Sequence, residues 1–578
     1  MKKAILSICF TAFLFTIYAQ NKNEVLFSVG NESITATEFI NTYNRNNSFE
    51  KAAEKEVRDY LELYINFKLK VRDGLDSQID TAEIFRRELA SYRSQSAKSY
   101  MADREVTEQL INEALERSPW MLRASHIMIH CAPTASPQDS LEAYNKILDI
   151  RKKITSGTLT FAEAALQYSD DNSARDDVRR DGKIQYGNKG DLGYFSTFDL
   201  LYPFETGAYN TPVGTISMPV RTQHGYHIIN VIDKQPVISR ISISQILLLD
   251  STAHSGSMTP DVKEKIKLIK EALASGQDFA SVAEQYTDDL ASKENGGKLE
   301  PFSYNRRPGN FIKQCISLEK DQISEPFPSV AGWHIVQLHE LILPEVKEEE
   351  KRHTMATRVQ RDTRSTKSVE SLIETLKKAY NYSDKNKKTA FNLMLKKMEK
   401  SDLIPAAIEL LAALGNDKLK PIATFATETI TIEDLAQYID KFKGLNFIIK
   451  PIDFLENQFT LLFKERILKY ELENLENRLP EYRELISEYH HGMILFEMNN
   501  LKIWSKSLKD TANFEIFYEE TKFNYLDSEG NPKPLAEIRS NVLTDYQNEL
   551  EKKWLAQLRE KYPVWINEEL FKSILKNK

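Results

Sequence analysis

At 578 residues the chain is long enough for several domains, and 41% hydrophobic with 28% charged residues is the composition of a soluble globular protein. Its formal charge of -7 becomes two units more negative once Lys2 and Lys3 leave with a leader. That balance lacks the basic excess of a nucleic-acid binder and excludes little else.

Lys2 and Lys3, the apolar run from Ala4 to Ile17 and the small residue Ala19 before Gln20 have the three-part form of a cleavable secretory signal over residues 1–19. An uncleaved anchor is the alternative. No later segment approaches the ~20 apolar residues of a spanning helix, so no stable membrane insertion is expected after cleavage. Cys131 and Cys315 then remain, in separate domains, and are expected as buried free thiols.

Residues 20–120 read as an N-terminal helical module. It opens on a short strand over Val25–Val29, and Thr35 and Glu38 form a capping box for the helix that follows. Val57, Leu61, Tyr64, Ile65 and Leu69 recur at helical spacing, and helical signal continues from Ala82 to Leu115. Residues 121–235 change character: an apolar strand with His126, two helices, a stretch punctuated by Gly, Pro and Asp, and a closing strand with His227. This order predicts a compact α+β domain.

Residues 236–343 repeat it. Phe161, Ala165, Gln167, Tyr168 and Asp171 recur 118 residues later, as Phe279, Ala283, Gln285, Tyr286 and Asp289. Leu192, Phe195, Phe204 and His227 recur 107 residues later, as Leu299, Phe302, Phe311 and His334. The first copy therefore carries 11 extra residues, the difference between those offsets, within Ala174–Lys189. So many coincident positions indicate a tandem duplication. Residues 344–420 read as a helical linker region and 421–578 as a C-terminal helical module, with Tyr562–Ile566 as one late strand. Glu428–Leu435 echoes Glu32–Phe39 as a second strand, cap and helix start.

Phosphate-cradling, dinucleotide and zinc-protease patterns are absent, as is a nucleophile elbow. His126, His130 and Cys131 are close in sequence, but a strand points residue 131 away from the other two, so no metal site is expected. What remains is a pair of histidines, with Asp171 and the apolar Leu192, Leu200 and Phe204. A lone buried histidine is ordinarily a satisfied core residue. Here the set has the composition of a small-ligand pocket, a polar back wall beside an apolar dish.

The motifs Ala124-Ser125-His126-Ile127, Phe161-Ala162, Tyr168-Ser169-Asp170-Asp171, Gly190-Asp191-Leu192-Gly193-Tyr194-Phe195, Pro203-Phe204 and Gly225-Tyr226-His227-Ile228-Ile229 resemble a parvulin-type peptidyl-prolyl isomerase domain. The resemblance implies that His126, Asp171 and His227 are the catalytic set, that Leu192, Leu200 and Phe204 hold the proline ring, and that Thr222 joins the histidine network. It also implies that no cofactor is needed. His224 stands where the family often has serine, and the 11-residue insertion falls on an exposed loop beside the site. In the second copy His126 becomes Gln245, Asp191 Lys298, Gly193 Glu300 and Leu200 Arg307, while Asp289, Leu299, Phe311 and His334 stay. That copy is expected to keep the fold with weak or no activity, either as a peptide site or as a spacer.

The layout as a whole resembles SurA-type periplasmic folding factors. The resemblance implies a periplasmic isomerase and chaperone whose clients are unfolded or proline-containing polypeptides, outer-membrane proteins among the candidates. The rival expectation is a non-catalytic holdase that uses the parvulin folds as peptide-binding modules.

Overall fold

The structure is a computed structural model that describes residues 24–45, 47–178, 184–345, 347–398 and 402–576. The leader lies outside the described residues. The chain divides into two units, one built from residues up to Lys98 together with Glu473 onward, the other continuous from Ser99 to Leu472. The expected C-terminal module of residues 421–578 thus has parts in both units. Residues 402–472 pack with the helices before them in one apolar cluster around Phe391, Phe425, Leu455, Phe459 and Phe463.

In the discontinuous unit, strand Val25–Val29 lies between Glu32–Thr35 and the late strand Val564–Ile566, pairing Phe27 with both Ile34 and Ile566. Thr35 accepts a hydrogen bond from the Glu38 amide and so starts the first helix. Helix Glu54–Asp76 buries Val57, Leu61, Ile65 and Leu69 and packs against Pro480–Asn499 and Leu535–Lys561. The helical signal after Ala82 is broken where one run was expected. Glu83–Ala97 ends, and a new helix starts at Arg104 because the Asp103 carboxylate accepts from the Glu105 and Val106 amides.

In the continuous unit, residues 120–236 form a four-stranded antiparallel sheet. Its central pair is Trp120–His130 and Gly225–Pro236, flanked by Asp191–Phe195 on one side and Val220–Thr222 on the other. Helices Pro137–Thr155 and Phe161–Tyr168 cover one face through Ile127, Ile129, Ile147, Ile150, Ala165 and Ile228. Helix Tyr202–Tyr209 covers the other, where Phe204 and Ala208 meet Leu122, Phe195, Ile229 and Val231. The short strands Asp191–Phe195 and Val220–Thr222 lie in the punctuated stretch, too brief to show a two-residue period in sequence. The inserted stretch contains a small ribbon that pairs Asp177–Val178 with Ile184–Gln185.

Residues 240–342 repeat this plan around the paired strands Arg240–Leu249 and Gly332–Ile342. The counterpart of Asp191–Phe195 is reduced to two isolated bridges, Ile241 with Phe302 and Ser244 with Lys298. Both cysteines are buried and free. No helix among the described residues is long and apolar enough to cross a membrane.

One buried carboxylate joins the first repeat to the flanking helices. Glu205 has no exposed surface, and its Oε1 accepts from Arg117 Nη1 at 3.0 Å and from the Thr197 hydroxyl at 2.8 Å. Its Oε2 accepts from Arg364 Nη2 at 2.9 Å and from the Phe198 amide at 2.8 Å. Breaking a buried ion pair leaves its partner charge uncompensated, which costs about 3–5 kcal/mol. Glu205→Gln takes one carboxylate from each of two buried guanidiniums, leaving Arg117 with Glu113 and Arg364 with Asp362, and should destabilise the 99–472 unit by about 3 kcal/mol, as read in urea unfolding followed by a probe confined to that unit. An unchanged midpoint would show that the cluster adds nothing to stability.

Candidate active site

The register of the two central strands creates the site. His126 lies opposite Ile229 and Met128 opposite His227, so the two imidazoles are diagonal neighbours on one face. Their rings stack at 14° with Nδ1 atoms 3.3 Å apart, and Phe204 stands edge-on to both, 5.6 and 5.4 Å between centroids. Gly190 allows the close approach behind them. It has φ +89°, its carbonyl accepts from the His126 amide at 2.9 Å, and a Cβ there would lie 2.7 Å from the His126 carbonyl oxygen.

The hydrogen bonds run in one direction across the site. Thr222 Oγ1 accepts from the His224 amide at 3.1 Å and lies 2.8 Å from His227 Nε2, so its own proton points to that nitrogen. His227 then carries its proton on Nδ1 and donates to His126 Nδ1, and His126 donates from Nε2 to Asp171 Oδ2 at 2.9 Å. These tautomers are assigned from the network. Asp171 is held in turn by the Ser173 amide at 2.9 Å. The four groups thus form an unbroken path from hydroxyl to carboxylate.

The electrostatics agree with a neutral His227 ring near a charged Asp171 carboxylate. The hydrogen bond from His126 holds the Asp171 carboxyl well below the usual carboxylate range, against the opposing effect of its partial burial. Burial, followed by the charge of neighbouring His126, pushes His227 down to about 3. Leu192 and Leu200 are half-buried beside the buried Phe204, within one apolar cluster. His224 is exposed, and its contribution to the network is its backbone amide.

The second repeat keeps both ends of this path and lacks its middle. The Ser329 hydroxyl lies 2.7 Å from His334 Nε2, and Gln245 Nε2 donates to Asp289 Oδ2 at 2.8 Å. Among the described residues, His334 Nδ1 and Gln245 Oε1, both buried, have no hydrogen-bond partner. Arg307, in the place of Leu200, lays its guanidinium over the rings of Phe302 and Phe311 at 5.4 and 5.5 Å. No group of three or more His, Cys, Asp or Glu among the described residues is arranged to hold a metal ion.

Sequence reasoning missed two groups close to the site. Glu205 reads as an ordinary exposed helix acid, although it directly follows Phe204 and is fully buried. Asp199 accepts from the Ser196 amide at 2.8 Å and thereby closes the turn that leads into Leu200. A Ser-x-x-Asp spacing after a strand was the available signal for that turn.

Comparison with known proteins matches residues 126–233 and 246–340 to the family described as "Rotamase: PPIC-type PPIASE domain". Among full-length relatives, Chaperone SurA of Nitrosococcus oceani is 28% identical over 219 residues, 37% of this chain and 48% of that protein. Chaperone SurA of Xanthomonas euvesicatoria is 26% identical over 282 residues, 47% of this chain and 55% of that protein. The chain thus spans about half the length of these relatives. Among solved structures, the peptidylprolyl isomerase PrsA from Bacillus anthracis is 27% identical and covers 24% of this chain and 60% of its own, at a TM-score of 0.17.

His227 should stay neutral through the physiological range. In the unfolded chain it gains a proton as pH falls below about 6.5, while in the folded domain it does so only near 3. Its contribution therefore disfavours the native state as pH drops from about 6.5 towards 3 and vanishes above that window. An NMR titration should show no His227 midpoint above pH about 5; a midpoint near 6.5 would contradict the network as drawn. Two stretches of the chain, residues 126–233 and 246–340, are thus each similar to the PPIC-type PPIASE domain family.

Proposed function

We propose that the protein is a peptidyl-prolyl cis-trans isomerase and folding chaperone that acts on unfolded, proline-containing polypeptides in the periplasm, outer-membrane proteins among them. Catalysis is assigned to the first repeat. The observation that carries this reading is the unbroken path from Thr222 through His227 and His126 to Asp171, set beside the apolar Leu192, Leu200 and Phe204.

Rotation about an X-Pro bond breaks amide resonance and meets a barrier of about 20 kcal/mol. No bond to carbon is made or broken, so the residues need only favour the twisted state over the planar ones. Leu192, Leu200 and Phe204 hold the ring of proline, while the histidine network forms the polar wall beside the turning bond. Asp171, held ionised, opposes the build-up of a full negative charge there, so the network tunes the site and does not act as nucleophile and base.

The second repeat is read as weakly active or inactive, because its path is interrupted between Gln245 and His334 and Arg307 covers the rings that would hold proline. A holding function for clients has support of its own. In the unit of residues 24–98 and 473–576, a groove of about 420 Å³ is lined by Tyr60, Leu63, Tyr64, Phe67 and Leu495, and Leu63 is 64% exposed. Such a surface suits apolar segments of an unfolded chain.

For the full chain acting on an X-Pro peptide, His227→Ala and Asp171→Ala should each lower kcat/KM at least about tenfold, equivalent to about 1.4 kcal/mol of transition-state stabilisation. Background rates for the wild type and both variants would remove the enzyme reading and leave the holdase. Leu63→Asp should weaken suppression of client aggregation while leaving the isomerase rate unchanged, and full suppression by that variant would remove the groove from the account.

A further inference from the structure

The second repeat meets the first at the rim of its apolar pocket. Met121 and Tyr194 of the first repeat share one buried cluster with Ile241, Ile243, Phe311, Ile312 and Cys315 of the second. Two glycines make the closest contact. Gly193, at φ +72°, lies next to Leu192, and a Cβ on Gly309 would fall 2.8 Å from the Gly193 Cα and 2.6 Å from Arg123 Nε. A larger residue at Gly309 pushes the repeats apart, whereas a Cβ at Gly193 would meet the Gly309 amide nitrogen at an ordinary 3.4 Å.

A second contact lies at the other end of the same rim. The Tyr304 hydroxyl, on a largely buried ring, donates to Asp199 Oδ2 at 2.6 Å, and that same oxygen accepts from the Ser196 amide. The turn from Ser196 to Leu200 is therefore closed by a carboxylate whose position the neighbouring repeat fixes. The phenol is pushed above its ordinary range by burial and by Asp199, so it remains a donor. On the far side, Tyr186, at the foot of the inserted ribbon, stacks on His254 of the second repeat at 4.5 Å and 23°.

The two repeats diverge at these same positions. Where the first has Asp191 and Gly193, the second has Lys298 and Glu300. In the first, Asp191 binds Arg123 at 2.6 Å and accepts from the Gly193 amide at 2.9 Å, which shapes the docking strand. The changes from Asp191 to Lys298 and from Gly193 to Glu300 thus fall on the surface that receives a neighbour, and the second repeat has no third repeat to receive. Arg307 links the two roles, because its side chain covers the second repeat's own rings while its carbonyl oxygen lies 3.9 Å from where a Gly193 Cβ would be.

We propose that the second repeat braces the proline pocket of the first, with Tyr304 as a positioning residue that acts through Asp199 on Leu200 and Gly309 as the seat for the strand carrying Leu192. The proposal rests on the reading of Leu192 and Leu200 as the ring-holding residues. It gives the second repeat a function independent of any activity of its own.

The test uses the full chain with Tyr304→Phe and, separately, Gly309→Leu. Amide exchange over residues 196–201 should rise about tenfold or more in each, while the central strands stay protected. With an X-Pro peptide, KM should rise about fivefold and kcat change less than about twofold, the pattern of lost binding rather than lost chemistry. Unchanged exchange together with unchanged KM would overturn the brace, as would a fall in kcat at constant KM. A wild-type rate at background would count against the isomerase reading alone, and the exchange measurement would then decide the brace.

Discussion

A carboxylate with no exposed surface sets the conditions for the rest of the 99–472 unit. Glu205 accepts from two guanidiniums, one hydroxyl and one amide, and these belong to three separate stretches of chain, around Arg117, Thr197–Phe198 and Arg364. A buried charge is tolerated only when its partners are all in place. Helix Tyr202–Tyr209 therefore takes its seat only together with Arg104–Arg117 and the segment that carries Arg364. Phe204, the ring edge-on to both histidines, is the neighbour of Glu205 on that helix. The apolar side of the pocket is thus positioned by polar contacts made on its opposite side, with residues 88 and 159 positions away in sequence.

Duplication left two copies of one fold with different hydrogen-bond economies. In the first, each donor along the path finds an acceptor, and the pair of rings ends on an ionised carboxylate. In the second, Gln245 reproduces the contact to Asp289 and Ser329 the contact to His334, so the outer links survive replacement of a ring by an amide. The middle link does not. In its place, Gln245 Oε1 and His334 Nδ1 are two buried polar atoms without a partner among the described residues. Such atoms cost stability, and the repeat retains its fold because Ile246, Leu248, Val282 and Ile335 still bury its core.

The fold of the repeats and the members of the site were legible because they rest on short-range pattern: apolar strands bearing one histidine each, capping boxes, and a duplication that can be checked position by position. The register that brings His126 and His227 together follows from strand pairing, which the two motifs already implied. What stayed hidden depends on distant partners. Glu205 and Asp199 look like ordinary surface acids until Arg364 and Tyr304 are placed beside them, 159 and 105 residues later. The break between Ala97 and Arg104 was lost among good helix formers, although Asp103 was a visible cap. The division between the two units leaves no mark in the sequence, because helix Pro451–Arg478 runs through it without interruption.

The strand Val25–Val29 has a hydrogen-bonding edge filled by Val564–Ile566, more than five hundred residues further along. A ribosome delivers those two strands at opposite times, so the first must wait through synthesis of nearly everything else with one edge open. The continuous 99–472 unit has no such dependence and can close its core while the remainder is still arriving. An open strand edge is a template for pairing with other chains. Until the late strand arrives, Val25–Val29 therefore keeps one edge on which a foreign strand could pair in place of Val564–Ile566.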